Sequence, residues 1–128
     1  MSYRHENLVA WQRADHLCVD VYKLTSERFP KTERYGLTSQ LRRASYSVAA
    51  NIVEGYAFES DRTKLRHLRI AAASLAELGY GMHLAARLRY LPAKDADAIA
   101  RSIRQTGSPL HGLIREVATK AGSHRPGS

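Results

Sequence analysis

Apolar residues recur at helical spacing along nearly the whole chain, in four stretches that each keep a stripe in phase. The segment Thr32–Ala57, TERYGLTSQLRRASYSVAANIVEGYA, shows it most clearly. Leu37, Leu41, Ala44, Val48 and Ile52 follow spacings of three and four, the signature of a helix packed on one face. Gln40, Arg43, Ser47, Asn51 and Glu54 repeat that spacing one residue earlier. At about 100° per residue they form a polar stripe beside the apolar one. A solvated face would scatter Lys and Glu there, whereas this stripe gathers short hydrogen-bonding groups around one Arg.

The pattern predicts a helix over about 8–28, with Trp11, Ala14, Cys18, Val21 and Thr25 inward and Leu17 and Leu24 widening the stripe. Cys18 reads as a buried, inert thiol. Pro30 biases Phe29 out of helical geometry and ends this helix. The second helix covers about 33–56, with Gly55 suited to its terminus. Ser60 and Asp61 read as an N-cap and a first-turn acid. They open a third helix over about 60–89 that buries Leu65, Leu68, Ala72, Leu75, Leu78 and Met82, towards Ala86. Gly79 and Gly81 each cost about 1 kcal/mol inside a helix relative to Ala, so close packing or a bend is expected there. The fourth helix, about 93–119, carries Ala96, Ile99, Ile103, Leu110, Leu113, Ile114 and Val117. Gly107-Ser108-Pro109 interrupts it in phase, which predicts a kink or a short 3₁₀ step near 107–109. Residues 1–120 then form one domain and 121–128 a disordered tail. The fold class expected is all-α, an antiparallel up-down-up-down four-helix bundle.

Charge changes the picture. Twenty Lys and Arg against twelve Asp and Glu give a net charge of +8 and a pI near 10.0. All but Arg125 of the basic residues precede Ala121, so the surplus belongs to the folded part. A basic folded surface points to a polyanionic partner, RNA or DNA before acidic protein or lipid. The single cysteine excludes an intrachain disulfide, and no signal-peptide run or membrane span is present, so a soluble cytoplasmic protein is expected.

Candidate chemistry narrows further. Metal-binding bundles use repeated Glu-x-x-His pairs, and none occurs, nor does a Cys pair or His-Glu-x-x-His. No metal, no cofactor and no catalytic residue is expected. One catalytic pattern survives: Arg62 to His67 fits the Arg-x(four to six)-His spacing of the HEPN helical-bundle ribonucleases. The two residues point about 140° apart on an ideal helix, and Arg104 to His111 matches equally well. The basic faces are better supported. Arg62, Arg66, Arg69 and Arg87 share one side of the third helix with Tyr80, Ala73 and Ala76, a strip suited to phosphate neutralisation and base stacking. Arg42 could join it. The polar stripe Gln40, Arg43, Ser47, Asn51 and Glu54 is expected to meet Ser74 and Glu77 inside the bundle or across a subunit boundary, fixing register. A catalytic alternative would use Glu54 or Glu77 as a base beside Arg43.

Leu8-Val9-Ala10-Trp11-Gln12-Arg13-Ala14, Val21-Tyr22, Phe29-Pro30, Glu33 and Tyr35 to Ala44 together resemble the four helix bundle protein family. Members are also called intervening-sequence proteins, because some are encoded within insertions in bacterial large-subunit ribosomal RNA genes. Ser47, Asn51 to Gly55 and Ala71 to Leu78 extend the resemblance, which runs from about Asn7 to Val117. It implies a ring-shaped homopentamer. A distantly similar bundle, the accessory protein of diversity-generating retroelements, binds reverse transcriptase and RNA as a basic pentamer, which makes a nucleic-acid-processing protein a further possible partner. Gly79, Gly81 and Gly107-Ser108-Pro109 depart from the family's usual helix formers. The function expected is a non-enzymatic homo-oligomeric bundle whose basic surface binds RNA or a nucleoprotein. The competing classes are a protein-interaction scaffold and a HEPN-like ribonuclease.

Overall fold

Apolar stripes on four helices leave water only by packing on one another, and the computed structural model, which describes residues 4–123, shows that arrangement. After a 3₁₀ turn at Arg4–Asn7 come α1 (Val9–Arg28), α2 (Leu37–Tyr56), α3 (Asp61–Arg87) and α4 (Ala93–Ser123). Helix α1 packs on α2 and α4, and α3 packs on the same two, while the diagonal pairs stay apart. Directions follow from which residues meet. Gly55 at the end of α2 lies against Lys64 and His67 at the start of α3, and Gly81 late in α3 lies against Leu41 and Leu37 early in α2. Gly107 of α4 meets Leu75 and Gly79 meets Ile103, so α3 and α4 are antiparallel too. Arg28 at the end of α1 reaches Asp95 at the start of α4, Nε to Oδ2 3.1 Å. The bundle runs up, down, up, down.

The core follows the expected stripes with small rotations. Leu17, Val21, Leu41, Val48, Ile52, Leu68, Leu78 and Leu110 are its most deeply buried large apolar side chains. On α1, Ala10 is buried and Trp11 half-buried; on α3, Ala71 and Ala85 are buried while Leu65, Ala72 and Ala86 are half-buried. Cys18, expected to be buried, is half-buried, with its Sγ 3.5 Å from Ser45 Oγ.

Helix ends show why some boundaries moved. The second helix begins at Leu37, not near 33, because Lys31–Glu33 forms a separate 3₁₀ turn. Glu33 caps α2 from that turn, its Oε1 accepting the Leu37 N–H at 3.1 Å. Its other oxygen accepts the Tyr90 hydroxyl at 2.8 Å, a hydrogen bond that raises the Tyr90 pKa above its ordinary value. A side chain at Gly36 would meet that cap, since a Cβ there would lie 2.7 Å from Glu33 Oε1. Ser60 caps α3 as expected, accepting the Thr63 N–H. At the far end α3 closes in a Schellman turn: Tyr90 N–H reaches Ala85 O, Arg89 N–H reaches Ala86 O, and Arg89 takes the left-handed conformation at φ 63°.

The fourth helix corrects an expectation. No 3₁₀ step occurs at Gly107-Ser108-Pro109; α4 continues through Pro109 as α-helix. Proline has no N–H to give the carbonyl four residues back, Gln105 O. Arg13 of α1 supplies the missing donor, its Nη1 2.7 Å from Gln105 O. The helix also extends to Ser123, so Ala121–Ser123, assigned to a disordered tail, are helical. The rest of that expected tail, 124–128, lies outside the described residues.

The two glycines of α3 differ in kind. A Cβ at Gly81 would lie 2.2 Å from Leu41 Cδ2, inside the core, whereas one at Gly79 would make an ordinary 3.9 Å contact with Ile103 Cγ2. Gly81→Ala therefore overpacks a buried leucine at about 1–3 kcal/mol, outweighing the helix propensity that it gains. Gly79→Ala gains that propensity freely, about 1 kcal/mol. Urea unfolding of the two variants should give shifts of opposite sign.

Candidate nucleic-acid interface

Helix α3 presents a stripe that spacing alone puts on one face, and every member of it is exposed: Arg62, Arg66, Arg69, Ala73, Ala76, Tyr80, His83 and Arg87. Its first half borders the last turns of α4, and between them runs an open groove of about 710 Å³. Arg62, Arg66 and Arg69 line it over a floor of Leu65, Ile70, Ala73 and Ala118, closed by Ala121 and Gly122. No carboxylate among the described residues lines the groove. Among the described residues these three arginines make no ion pair and no side-chain hydrogen bond, unlike Arg28 with Asp95, Lys64 with Asp61, and Lys120 with Glu116. Their charge therefore faces the groove without compensation from the described residues. Small side chains on α4 keep the groove open, so an extended anionic strand has room beside all three guanidinium groups.

The other expected members lie elsewhere. Tyr80 is exposed, with its ring 6.4 Å from that of His83, and belongs to the stripe but not to the groove. Arg87 sits about 37 Å along the helix axis from Arg62. Arg42 does not join this surface. It lies between α1 and α2, its Nε donating to Thr25 Oγ1 at 3.0 Å, Nη2 to Ser26 Oγ at 2.8 Å, and its guanidinium 4.7 Å over the Tyr22 ring.

The polar stripe of α2 divides as well. His67 Nδ1 donates to Asn51 Oδ1 at 2.9 Å, and Asn51 Nδ2 donates to Ser47 Oγ at 3.0 Å and Ser47 O at 2.9 Å. Ser47 Oγ meets Ser74 Oγ at 2.7 Å, and Glu54 Oε2 stands 3.5 Å from His67 Nδ1. A single polar chain therefore crosses the α2–α3 seam, each link polarised in one direction when Ser47 donates to Ser74. Gln40, Arg43 and Glu77 are exposed and take no part in it. His67 was the member missed from this network. Folding α2 and α3 back about the turn near position 60 sets Asn51 opposite His67 and Ser47 opposite Ser74, a register that two separate helical patterns do not display. The same contact takes apart the Arg62–His67 pair, because His67 faces α2 while Arg62 faces the α4 groove. Among the described residues no three His, Cys, Asp or Glu come together in a way able to hold a metal ion, and no helix is long and apolar enough to cross a membrane.

The profile of the family described as 23S rRNA-intervening sequence protein matches residues 6–112, from the 3₁₀ turn into the second half of α4. The chain belongs to this family. A crystal structure of a protein of unknown function from the S23 ribosomal protein family of Bacteroides thetaiotaomicron superposes with a TM-score of 0.77 at 20% identity. That likeness covers 84% of this chain and 96% of the other, and it supports the shared bundle fold. No curated protein matches the sequence. For this intervening-sequence protein the family match reaches Gly112 and stops short of Ala118, Ala121 and Gly122, the α4 side of the groove.

Removing the centre of the polar chain tests it. Asn51→Ala leaves His67 and Ser47 each short of a partner at a half-buried site, so chemical denaturation should show a loss of about 1–3 kcal/mol. His67→Ala should add less on the Asn51→Ala background than alone, by at least about 0.5 kcal/mol. Strict additivity would mean that the two side chains are not coupled.

Proposed function

We propose that this intervening-sequence protein is a non-enzymatic, homo-oligomeric bundle that works in the cytoplasm and binds RNA through the α3–α4 groove. The observation that carries the reading is the set of three unpaired arginines, Arg62, Arg66 and Arg69, in one groove that no carboxylate lines. Guanidinium groups recognise phosphate oxygens in a planar, bidentate way, and three on successive turns match a chain of phosphates better than a single anion. A net charge of +8 steers such a partner from a distance. Of the catalytic alternatives, Arg62 and His67 face different neighbours, Glu77 takes no part in the α2–α3 polar chain, and Glu54 stands beside His67.

Oligomerisation comes from the family resemblance and finds a physical motive in the exposed surface. Val9, Val19, Phe58 and Leu88 are large apolar residues left in contact with water. Gln40 and Glu77, exposed and without side-chain hydrogen bonds among the described residues, suit a polar subunit boundary.

Binding to a generic single-stranded RNA, followed by fluorescence anisotropy, should weaken about twentyfold over a fourfold rise in salt if three phosphates are neutralised. Arg62→Glu/Arg66→Glu/Arg69→Glu should abolish it with the fold intact by circular dichroism. Affinity that ignores both salt and the triple substitution would favour a protein-binding scaffold. Multi-angle light scattering at micromolar concentration should return a mass several times 14.3 kDa. A monomer there removes the oligomer from the proposal.

A further inference from the structure

A second cavity of about 510 Å³, on the α1–α2 side of the bundle, combines features that the groove lacks. Its walls include Tyr22, Tyr35 and Tyr46 with Arg34, Arg42 and Arg43, and no carboxylate. Tyr35 is 88% exposed and Tyr46 63%, a large aromatic area to leave in water on one small patch. Tyr22, 44% exposed, already carries a cation on its face, since the Arg42 guanidinium lies 4.7 Å from its centroid. Thr25 Oγ1, Ser26 Oγ and Tyr22 O hold Arg42 in that place. Arg34 lies 5.6 Å from the Tyr35 ring. The patch is thus a set of guanidinium groups between aromatic rings, with Tyr35 and Tyr46 open to a planar partner.

We infer that this patch is a stacking site for single-stranded RNA, separate from the α3–α4 groove. The inference deepens the RNA-binding reading above and rests on it. An unpaired strand offers what the walls can take: phosphates for the arginines and free base faces for Tyr35 and Tyr46. A duplex has its bases already stacked on one another, so the rings find nothing there to receive. An acidic peptide would satisfy the arginines but leave both open rings without a planar partner. The location keeps the two contact areas apart. The N-terminal half of α2 faces the C-terminal half of α3, so the patch lies at the opposite end of the bundle from Arg62, and on a different pair of helices. The groove serves any phosphate backbone, and the patch selects unpaired strands.

Anisotropy with short oligouridine and with an RNA duplex of equal length separates the two contacts, using wild type, Tyr35→Ala/Tyr46→Ala, Tyr35→Phe/Tyr46→Phe and the triple glutamate variant. Both rings are exposed, so their removal leaves the fold undisturbed. The alanine pair should lose about tenfold or more in oligouridine affinity and less than about twofold in duplex affinity, with the salt dependence unchanged. The phenylalanine pair should bind oligouridine as wild type does, because stacking needs the ring and not the hydroxyl. Unchanged oligouridine affinity in the alanine pair overturns the inference, as does an equal loss on both RNAs. Polyglutamate bound as tightly as oligouridine, and lost in the same alanine pair, overturns it in favour of an acidic peptide. The triple glutamate variant reports on the groove alone: if it binds the duplex like wild type while the alanine pair loses oligouridine, the groove reading falls and the stacking site stands.

Discussion

The close approach of α2 and α3 is the constraint on which the rest of the structure depends. Two glycines set it, one near each end of the seam, where an added Cβ would lie 3.1 Å from His67 Cβ at Gly55 and 2.2 Å from Leu41 Cδ2 at Gly81. Between them the Asn51–His67 and Ser47–Ser74 contacts replace apolar packing with hydrogen bonds that tolerate only one register. Apolar burial supplies most of the energy here, since a large core side chain contributes roughly 1.5–3 kcal/mol against about 1 kcal/mol for a hydrogen bond. The polar chain therefore adds selection rather than bulk stability. Sliding α3 by one turn would keep many apolar contacts and break every polar one.

That fixed register determines what faces outward. With Leu68, Ala71, Leu75 and Leu78 turned into the core, Arg62, Arg66 and Arg69 are carried to the opposite face, towards the end of α4. Helix α4 meets them with Ala118, Ala121 and Gly122 rather than with acids, so the positive stripe is neither covered nor neutralised. The Arg13 contact satisfies Gln105 O, the carbonyl that Pro109 cannot serve, within an α4 that continues as helix to lie beside α3. Some cations are held within the bundle: Arg42 on α1, Arg28 on Asp95, Lys64 on Asp61 and the Tyr56 ring. What makes the groove a candidate for binding is that three arginines on successive turns of one helix line a single cleft.

Much of this was legible in the sequence, for a physical reason. Helical periodicity reports which face of each helix is apolar, and Leu41, Val48, Ile52, Leu68, Leu75 and Leu78 are buried as that spacing predicts. The Ser60 cap and the arginine stripe are local patterns and survive intact. What periodicity cannot report is which helix meets which, and at what height. Arg42 points away from both stripes of its own helix, which suggests the α3 arginines as its company, whereas its partners are on α1. His67 was read through a motif within its own helix, while its partners are on α2. Gly107-Ser108-Pro109 predicts a kink or a 3₁₀ step by local rules, and the donor that meets the carbonyl Pro109 leaves open lies 92 residues away in sequence. The tyrosine patch is drawn from two helices and the turn between them, so only its α2 members, Ser39, Arg42, Arg43 and Tyr46, share a helical spacing.

Photo-crosslinking of thiouridine-substituted RNA to the wild-type protein, followed by mapping of the crosslinked peptides, tests the central claim most directly. Crosslinks concentrated in residues 62–73 and in the last turns of α4 are the predicted result. Crosslinks confined to the α1–α4 side, where Asp20, Glu27 and Asp95 line the surface, would contradict it.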